Sequence, residues 1–219
     1  MSCPSTALPT KPFPRKLLIA SNNPHKLAEF REILAGFPLA LTSPHEEHLD
    51  IWPPETGATF AENAILKATT FARASGLVAL ADDSGLEVEA LAGEPGILSA
   101  RYSGIQGNHA ANIRRLLSRL EGVPMERRRA CFYSVIAIAT PAGQVHTCHG
   151  ECTGYIAFEP RGSGGFGYDP VFFLPEFGMT MAELPPEVKN RVSHRGRSGQ
   201  AARRILQGIF DLGVQSEEV

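Results

Sequence analysis

Two adjacent carboxylates, Asp82 and Asp83, follow the apolar run Leu77–Ala81 and precede Ser84-Gly85. The run is short and bounded by Gly76 and Gly85, the pattern of a buried strand. Ligands in α/β proteins sit beyond the carboxyl ends of strands. Two acids at such an end offer a seat for a hard divalent cation such as Mg²⁺, which prefers oxygen donors. The same residues would also suit a solvated turn in which Asp bonds to nearby backbone, so the rest of the chain has to decide.

Three other stretches carry charge in a pattern that fits a phosphate or a base. Ser21-Asn22-Asn23-Pro24-His25-Lys26 follows a predicted strand, with Asn23 as N-cap and Pro24 as the first helical residue. Helix N-termini attract anions, and a cation at Lys26 opposes the helix dipole unless a phosphate lies between. Neither the P-loop nor the Rossmann glycine pattern is present. Glu55 stands just ahead of Thr56-Gly57, and Asn63 and Lys67 share one face of the helix that follows. Lys67 borders the apolar arc of Phe60, Ala64, Ala68 and Phe71. It either snorkels to water or, if that helix packs beside Asp82 and Asp83, reaches a phosphate. The loop Gly164–Pro170 sets Phe166, Gly167, Tyr168 and Asp169 among glycines, where an aromatic ring stacks on a base or packs into the core. Lys189 and Ser193-His194-Arg195 add donors suited to a carbonyl or phosphate.

The elements needed to position these groups are legible as strands interleaved with helices. Strands are predicted at 16–20, near 39–41, at 77–81 and at 171–174, with a weaker continuation over 86–91. A hairpin is predicted over 130–140 and 144–158, turning at Pro141-Ala142-Gly143. Helices are predicted from Pro24 to a stop at Gly36, over 58–74, 109–120, 181–192 and 199–212. The order predicts an α/β fold with a mixed sheet. Residues 93–107 and 161–168 read as glycine-rich loops.

Composition narrows the function classes. The 219 residues carry a formal net charge of −2, which argues against nucleic acid or a membrane surface as the main partner. The four cysteines, Cys3, Cys131, Cys148 and Cys152, do not make a disulfide framework in a chain this long, and a reducing, cytoplasmic setting is expected. No run reaches membrane-spanning length. Residues 1–15 hold four prolines and no apolar core of a signal peptide, and are expected to be a flexible extension. His146, Cys148, His149 and Cys152 superficially suggest zinc, but strand alternation turns His149 away from the other three. A Gly-x-Ser-x-Gly nucleophile elbow is absent.

Taken in order, SNNPHK, ETGATFAENAILKA, ADDSGLEVEAL, PGILSARYSG, GGFGYDPVFF and SHRG resemble the inosine triphosphate pyrophosphatase family over about Lys16 to Leu212. That family hydrolyses ITP, dITP and XTP to the monophosphate and pyrophosphate. The resemblance implies an elongated mixed sheet with flanking helices, one domain over 16–213 in two lobes around a central cleft, with a tail at 214–219. It implies a triphosphate cradle of Ser21, Asn22, Asn23, Pro24, His25 and Lys26 together with Lys67. It implies Mg²⁺ on Glu55, Asp82 and Asp83, with Asp83 as general base, and Ser84 as a substrate contact. Phe166, Gly167, Tyr168, Asp169, Lys189, His194 and Arg195 are implied to form the purine pocket, where N–H donors suit a 6-oxo acceptor. It also implies a homodimer. Pro54 stands where many relatives have a second acid, and Ser21-Asn22-Asn23 replaces the commoner Thr-Gly-Asn. Arg101 sits in a family motif without an assigned contact. The alternatives are a Maf-type pyrophosphatase acting on modified nucleotides and a nucleotide-binding protein without turnover.

Overall fold

The computed structural model of the protein describes residues 15–210. The expected tail at 214–219, the last residues of the expected final helix and all but Arg15 of the expected extension lie outside them.

One seven-stranded mixed sheet organises the chain in the order β2-β1-β3-β4-β5-β6-β7. Strand β1 (Lys16–Ile19) pairs in parallel with β2 (Ala40–Thr42) and with β3 (Val78–Val88). From β3 onward the pairing is antiparallel, through β4 (Arg129–Ala139), β5 (Val145–Ile156), β6 (Phe172–Leu174) and β7 (Met179–Thr180). Helix α1 (Pro24–Ile33) connects β1 to β2, and α2 (Phe60–Ser75) leads into β3. Asn23 caps α1 by accepting from the backbone N–H groups of His25 and Lys26, with Pro24 at the first turn, as its sequence predicts. Gly76 ends α2 in the left-handed conformation.

The structure departs from the expected elements in three places. Strand β3 does not end at Ala81: it runs through Asp82, Asp83, Ser84 and Gly85 to Val88. Its antiparallel pairing with β4 continues from Ala79 to Val88 and keeps the polar stretch extended. The expected helix over 181–192 is a 3-10 turn at Met181–Glu183 followed by α4 (Pro186–Val192), because Pro185 and Pro186 cannot continue a helix already begun. The last helix, α5, starts at His194 rather than Gly199, with the Ser193 hydroxyl accepting from the Gly196 N–H. Gly196 and Gly199 lie inside α5, and both serve close packing. A Cβ at Gly196 would collide with the Asn190 carbonyl, and one at Gly199 with the Ile33 side chain.

Strand alternation divides the core. Even-numbered Leu80 lies with Ile136 and Ile138 against α1 and α5, while odd-numbered Ala79 and Ala81 lie with Ala137 against α2. Farther along β3, Leu86 and Val88 enter a third cluster with Leu116 of α3 (His109–Arg119), its C-cap Leu120 and Phe172 of β6. Between these clusters the sheet is polar, at Asp82, Asp83, Ser84 and Ser134, and there the apolar core is interrupted. No helix among the described residues is long and apolar enough to cross a membrane.

Candidate active site

The polar waist is open because β1 is shorter than β3. The parallel ladder stops with the Ala20 N–H donating to the Leu80 carbonyl, at 2.7 Å. Beyond it the edge of β3 has no strand beside it among the described residues, and the next carbonyl, that of Asp82, accepts from Lys26 Nζ at 3.3 Å and Lys67 Nζ at 3.1 Å. A cavity of about 900 Å³ lies over this edge. Farther along, the same edge is closed by the 3-10 turn Gly96–Arg101, where Ser99 Oγ accepts from the Leu86 N–H at 2.9 Å. Gly85 makes that closure feasible, since a Cβ there would stand 2.5 Å from the Gly96 carbonyl oxygen.

Asp82 and Asp83 face opposite sides of the sheet, and each meets a lysine from the helix covering its side. Asp82 is on the α1 and α5 side, with a side chain 0% exposed. Its Oδ2 pairs with Lys26 Nζ at 2.8 Å and Arg195 at 3.3 Å and accepts from Ser84 Oγ at 3.1 Å, and its Oδ1 accepts from Ser134 Oγ at 2.6 Å. Burial works to raise its pKa, but Lys26 and Arg195 overcome that and hold the carboxyl far below the usual carboxylate range. Burial also lowers the Lys26 ammonium from its ordinary value. Arg195 donates further to Glu29 at 2.6 Å and Ser84 at 2.8 Å. Most of its N–H groups are therefore committed inside the protein, and its first role in this geometry is to organise Asp82, Ser84 and Glu29, rather than to read a base edge.

Asp83 is on the α2 side. Its Oδ1 pairs with Lys67 Nζ at 2.6 Å and its Oδ2 accepts from Asn63 Nδ2 at 3.4 Å. Burial raises its carboxyl above the ordinary value, against the pull of Lys67 and Lys26. Burial works to lower Lys67, while Asp83 and Glu55 carry it above its ordinary value. Glu55 approaches from the loop before α2, with Oε1 at 3.3 Å from Lys67 and Oε2 at 2.9 Å from Arg101. A raised carboxylate beside two ammonium groups is a competent proton acceptor for water near an anionic phosphate.

Part of the cavity wall is aromatic. Phe166 stacks on His25 with ring centroids 5.2 Å apart and planes 13° from parallel, and His109 lies 6.0 Å away. The Arg195 guanidinium and Lys189 ammonium lie 5.2 and 5.4 Å from the Phe166 centroid. Asp169 holds the loop by accepting from the Phe166 N–H at 2.8 Å while pairing with Lys189 at 2.6 Å. Tyr168 turns into the protein and donates to the Ser99 carbonyl at 2.9 Å, so its ring braces the wall. His194 stacks on Phe132 at 4.6 Å, and its buried Nδ1 has no hydrogen-bond partner among the described residues. Burial and the neighbouring Arg195 hold its pKa well below the ordinary histidine value, so the ring is neutral.

Ser21, Asn22, Asn23, Pro24, His25 and Lys26 line this one cavity. So do Glu55, Lys67, Asp82, Asp83 and Ser84, together with Phe166, Gly167, Tyr168, Asp169, His194 and Arg195. Lys189 stands behind the wall, between Glu29 and Asp169. Glu29, Ser134 and His109 were not foreseen. Glu29 sits one helical turn beyond Lys26 on α1, a spacing that could have singled it out. Ser134 and His109 gave no local signal. The zinc reading of the β5 histidines and cysteines finds no support: among the described residues no group of three or more His, Cys, Asp or Glu side chains converges to hold a metal.

The comparisons with known proteins agree with one another. The model of the Ham1 family matches residues 17–205. The chain belongs to the Ham1 family. It is 52% identical to the dITP/XTP pyrophosphatase of Geobacter sulfurreducens over 84% of this chain and 92% of that protein. It is 47% identical to the dITP/XTP pyrophosphatase of Desulforamulus reducens over 89% of this chain and 97% of that protein. The solved HAM1 protein of Coxiella burnetii superposes with a TM-score of 0.79 at 41% identity, covering 89% of this chain and 99% of that one. The nucleoside-triphosphatase / dITP/XTP pyrophosphatase of Mycobacterium abscessus gives a TM-score of 0.69 at 46% identity, covering 85% and 98%.

The donor chemistry in this Ham1 family member fits a hard divalent cation at two of the three expected ligands. Glu55 and Asp83 bring anionic oxygens to one common cation, Lys67 Nζ. Asp82 does not fit: its carboxylate is fully buried and already shared among Lys26, Arg195, Ser84 and Ser134. The three acids do not converge because successive side chains of an extended strand point to opposite faces.

Proposed function

We propose that the protein hydrolyses nonstandard purine nucleoside triphosphates, dITP, ITP and XTP, to the monophosphate and pyrophosphate. One observation carries this reading: a single cavity is lined by an aromatic base platform, Phe166, by Asp83, a raised carboxylate paired with Lys67, and by Lys26. That the Geobacter and Desulforamulus relatives are dITP/XTP pyrophosphatases supports dITP and XTP as substrates. Water adds to the α-phosphorus while the electron pair of the bond to the β-phosphate oxygen leaves with pyrophosphate, and Asp83 takes the proton lost by water. Lys26 and Lys67 oppose the charge that develops on the phosphate oxygens. Glu55 and Asp83 would hold Mg²⁺, which when bound supplies Lewis-acid charge to those oxygens. Asp82 fixes Lys26 and Arg195 in place. The base lies on Phe166, and His194 lines the same cavity.

A panel of nucleoside triphosphates, assayed separately for pyrophosphate and for orthophosphate, tests this. dITP and XTP should yield pyrophosphate with Mg²⁺ present, well ahead of ATP and GTP. Orthophosphate release would overturn cleavage at the α-phosphorus. Turnover confined to modified pyrimidines would favour the Maf-type alternative, and tight binding without turnover a sensing role. The family resemblance also supports a homodimer, for which light scattering at micromolar concentration should return twice the chain mass of 23.6 kDa, and the cysteine usage supports a cytoplasmic setting.

A further inference from the structure

We propose that Arg101 is the receptor for the terminal phosphates of the substrate and for the pyrophosphate that leaves; this rests on the pyrophosphatase reading above. The contacts inside the cavity form one chain. Phe166 lies under Arg195, Arg195 meets Asp82, the Asp82 carbonyl meets Lys67, Lys67 meets Glu55, and Glu55 meets Arg101. The base platform is at one end of that chain and Asp83, beside Lys67, is near its middle. A triphosphate whose base lies on Phe166 and whose α-phosphate lies at Asp83 extends its β- and γ-phosphates toward the other end. Among the described residues, Arg101 is the cation at that end of the run of contacts. Its guanidinium offers paired donors that match phosphate oxygens, a geometry a lysine lacks.

The position is built rather than incidental. Arg101 ends the 3-10 turn Gly96–Arg101. Buried Asn112 donates to the carbonyls of Ser99 and Ala100 at 3.3 and 3.2 Å and accepts from the Ser103 N–H at 2.7 Å, clamping the backbone on both sides of Arg101. Tyr168 adds its bond to Ser99. The side chain keeps 32% exposure and its partner Glu55 31%, so the pair is open to an incoming anion. A polyphosphate carries more charge than the single carboxylate it would displace from Arg101. When the bond from the α-phosphorus breaks, the new charge appears on the pyrophosphate, the fragment beside Arg101.

Binding of inorganic pyrophosphate and of inosine monophosphate, measured by calorimetry in EDTA, tests the assignment in wild type, Arg101→Met, Arg101→Lys and Glu55→Gln. Arg101→Met should weaken pyrophosphate by about tenfold or more, as expected for a lost charge-assisted contact, and leave the monophosphate within about twofold. Arg101→Lys should fall between. Glu55→Gln, which removes the competing carboxylate, should keep or tighten pyrophosphate binding. Equal losses for both ligands in Arg101→Met, or a loss in Glu55→Gln matching that of Arg101→Met, would reduce Arg101 to a prop for the loop or for Glu55. Unchanged pyrophosphate affinity in a protein that still hydrolyses dITP would overturn Arg101 alone. Failure of wild type to hydrolyse any triphosphate would overturn the pyrophosphatase reading instead.

Discussion

Asp82 and Asp83 are consecutive residues whose carboxylates never share a partner side chain by direct ion pair: Asp82 pairs with Lys26 and Arg195, Asp83 with Lys67. Their division of labour follows from strand alternation. Asp82 enters the layer between the sheet and α5, where it is sealed. Asp83 enters the layer beneath α2, close to the unpaired edge of β3, and keeps access to the cavity.

Asp83→Asn should reduce kcat by about a hundredfold or more, with a smaller change in substrate affinity, because the amide cannot take a proton from water. Steady-state kinetics with dITP alongside equilibrium binding of a nonhydrolysable analogue separates the two. Near wild-type turnover would move the base elsewhere.

Asp82→Asn should act on stability first. It leaves the buried Lys26 without its carboxylate and Arg195 with Glu29 alone, a loss of about 3–5 kcal/mol for a broken buried pair. The folded-state carboxyl is held low, so its contribution is complete above the unfolded-state value of about 4 and falls away as pH descends from there through the folded-state value. Urea unfolding from pH 7 to pH 3 should show that acid-side slope in wild type and a shallower one in the variant.

His194 predicts a second, milder slope. Its pKa is held low by burial and by Arg195, so the folded protein refuses a proton that the unfolded chain accepts. Stability is therefore whole above about pH 6.5 and declines below it. His194→Gln should flatten the change in unfolding midpoint between pH 7.5 and pH 5, and an unflattened curve would assign that slope to other groups.

Phe166→Ala should raise KM while changing kcat far less. A stacked base is worth about 1–3 kcal/mol, so the rise should lie between roughly fivefold and a hundredfold. His25 already stacks on this ring, so the variant also removes that contact. A kcat loss as large as the KM rise would mean that Phe166 also positions the α-phosphate.

The cap of α1, the left-handed end of α2 at Gly76 and the hairpin turning at Pro141-Ala142-Gly143 were all written in local sequence. Each depends on propensity, periodicity or turn chemistry acting within a few residues. The placement of Lys67 beside Asp83 was legible as a condition, since helical spacing put it on the border of the apolar arc facing the sheet. The extent of β3 was not, because the polar residues 82–85 are kept extended by β4, a partner more than forty residues away. The start of α5 was misjudged for a similar reason: Gly196 and Gly199 are required by contacts with Asn190 and with Ile33 of a distant helix. Tertiary structure alone decided what becomes of each charge. Asp82 meets Arg195 across 113 positions of sequence and Glu55 meets Arg101 across 46. The residue types announced phosphate chemistry in the chain itself. Which carboxylate stays free to act on water depends on which face is sealed, and that is settled only when helices pack on both sides of the sheet.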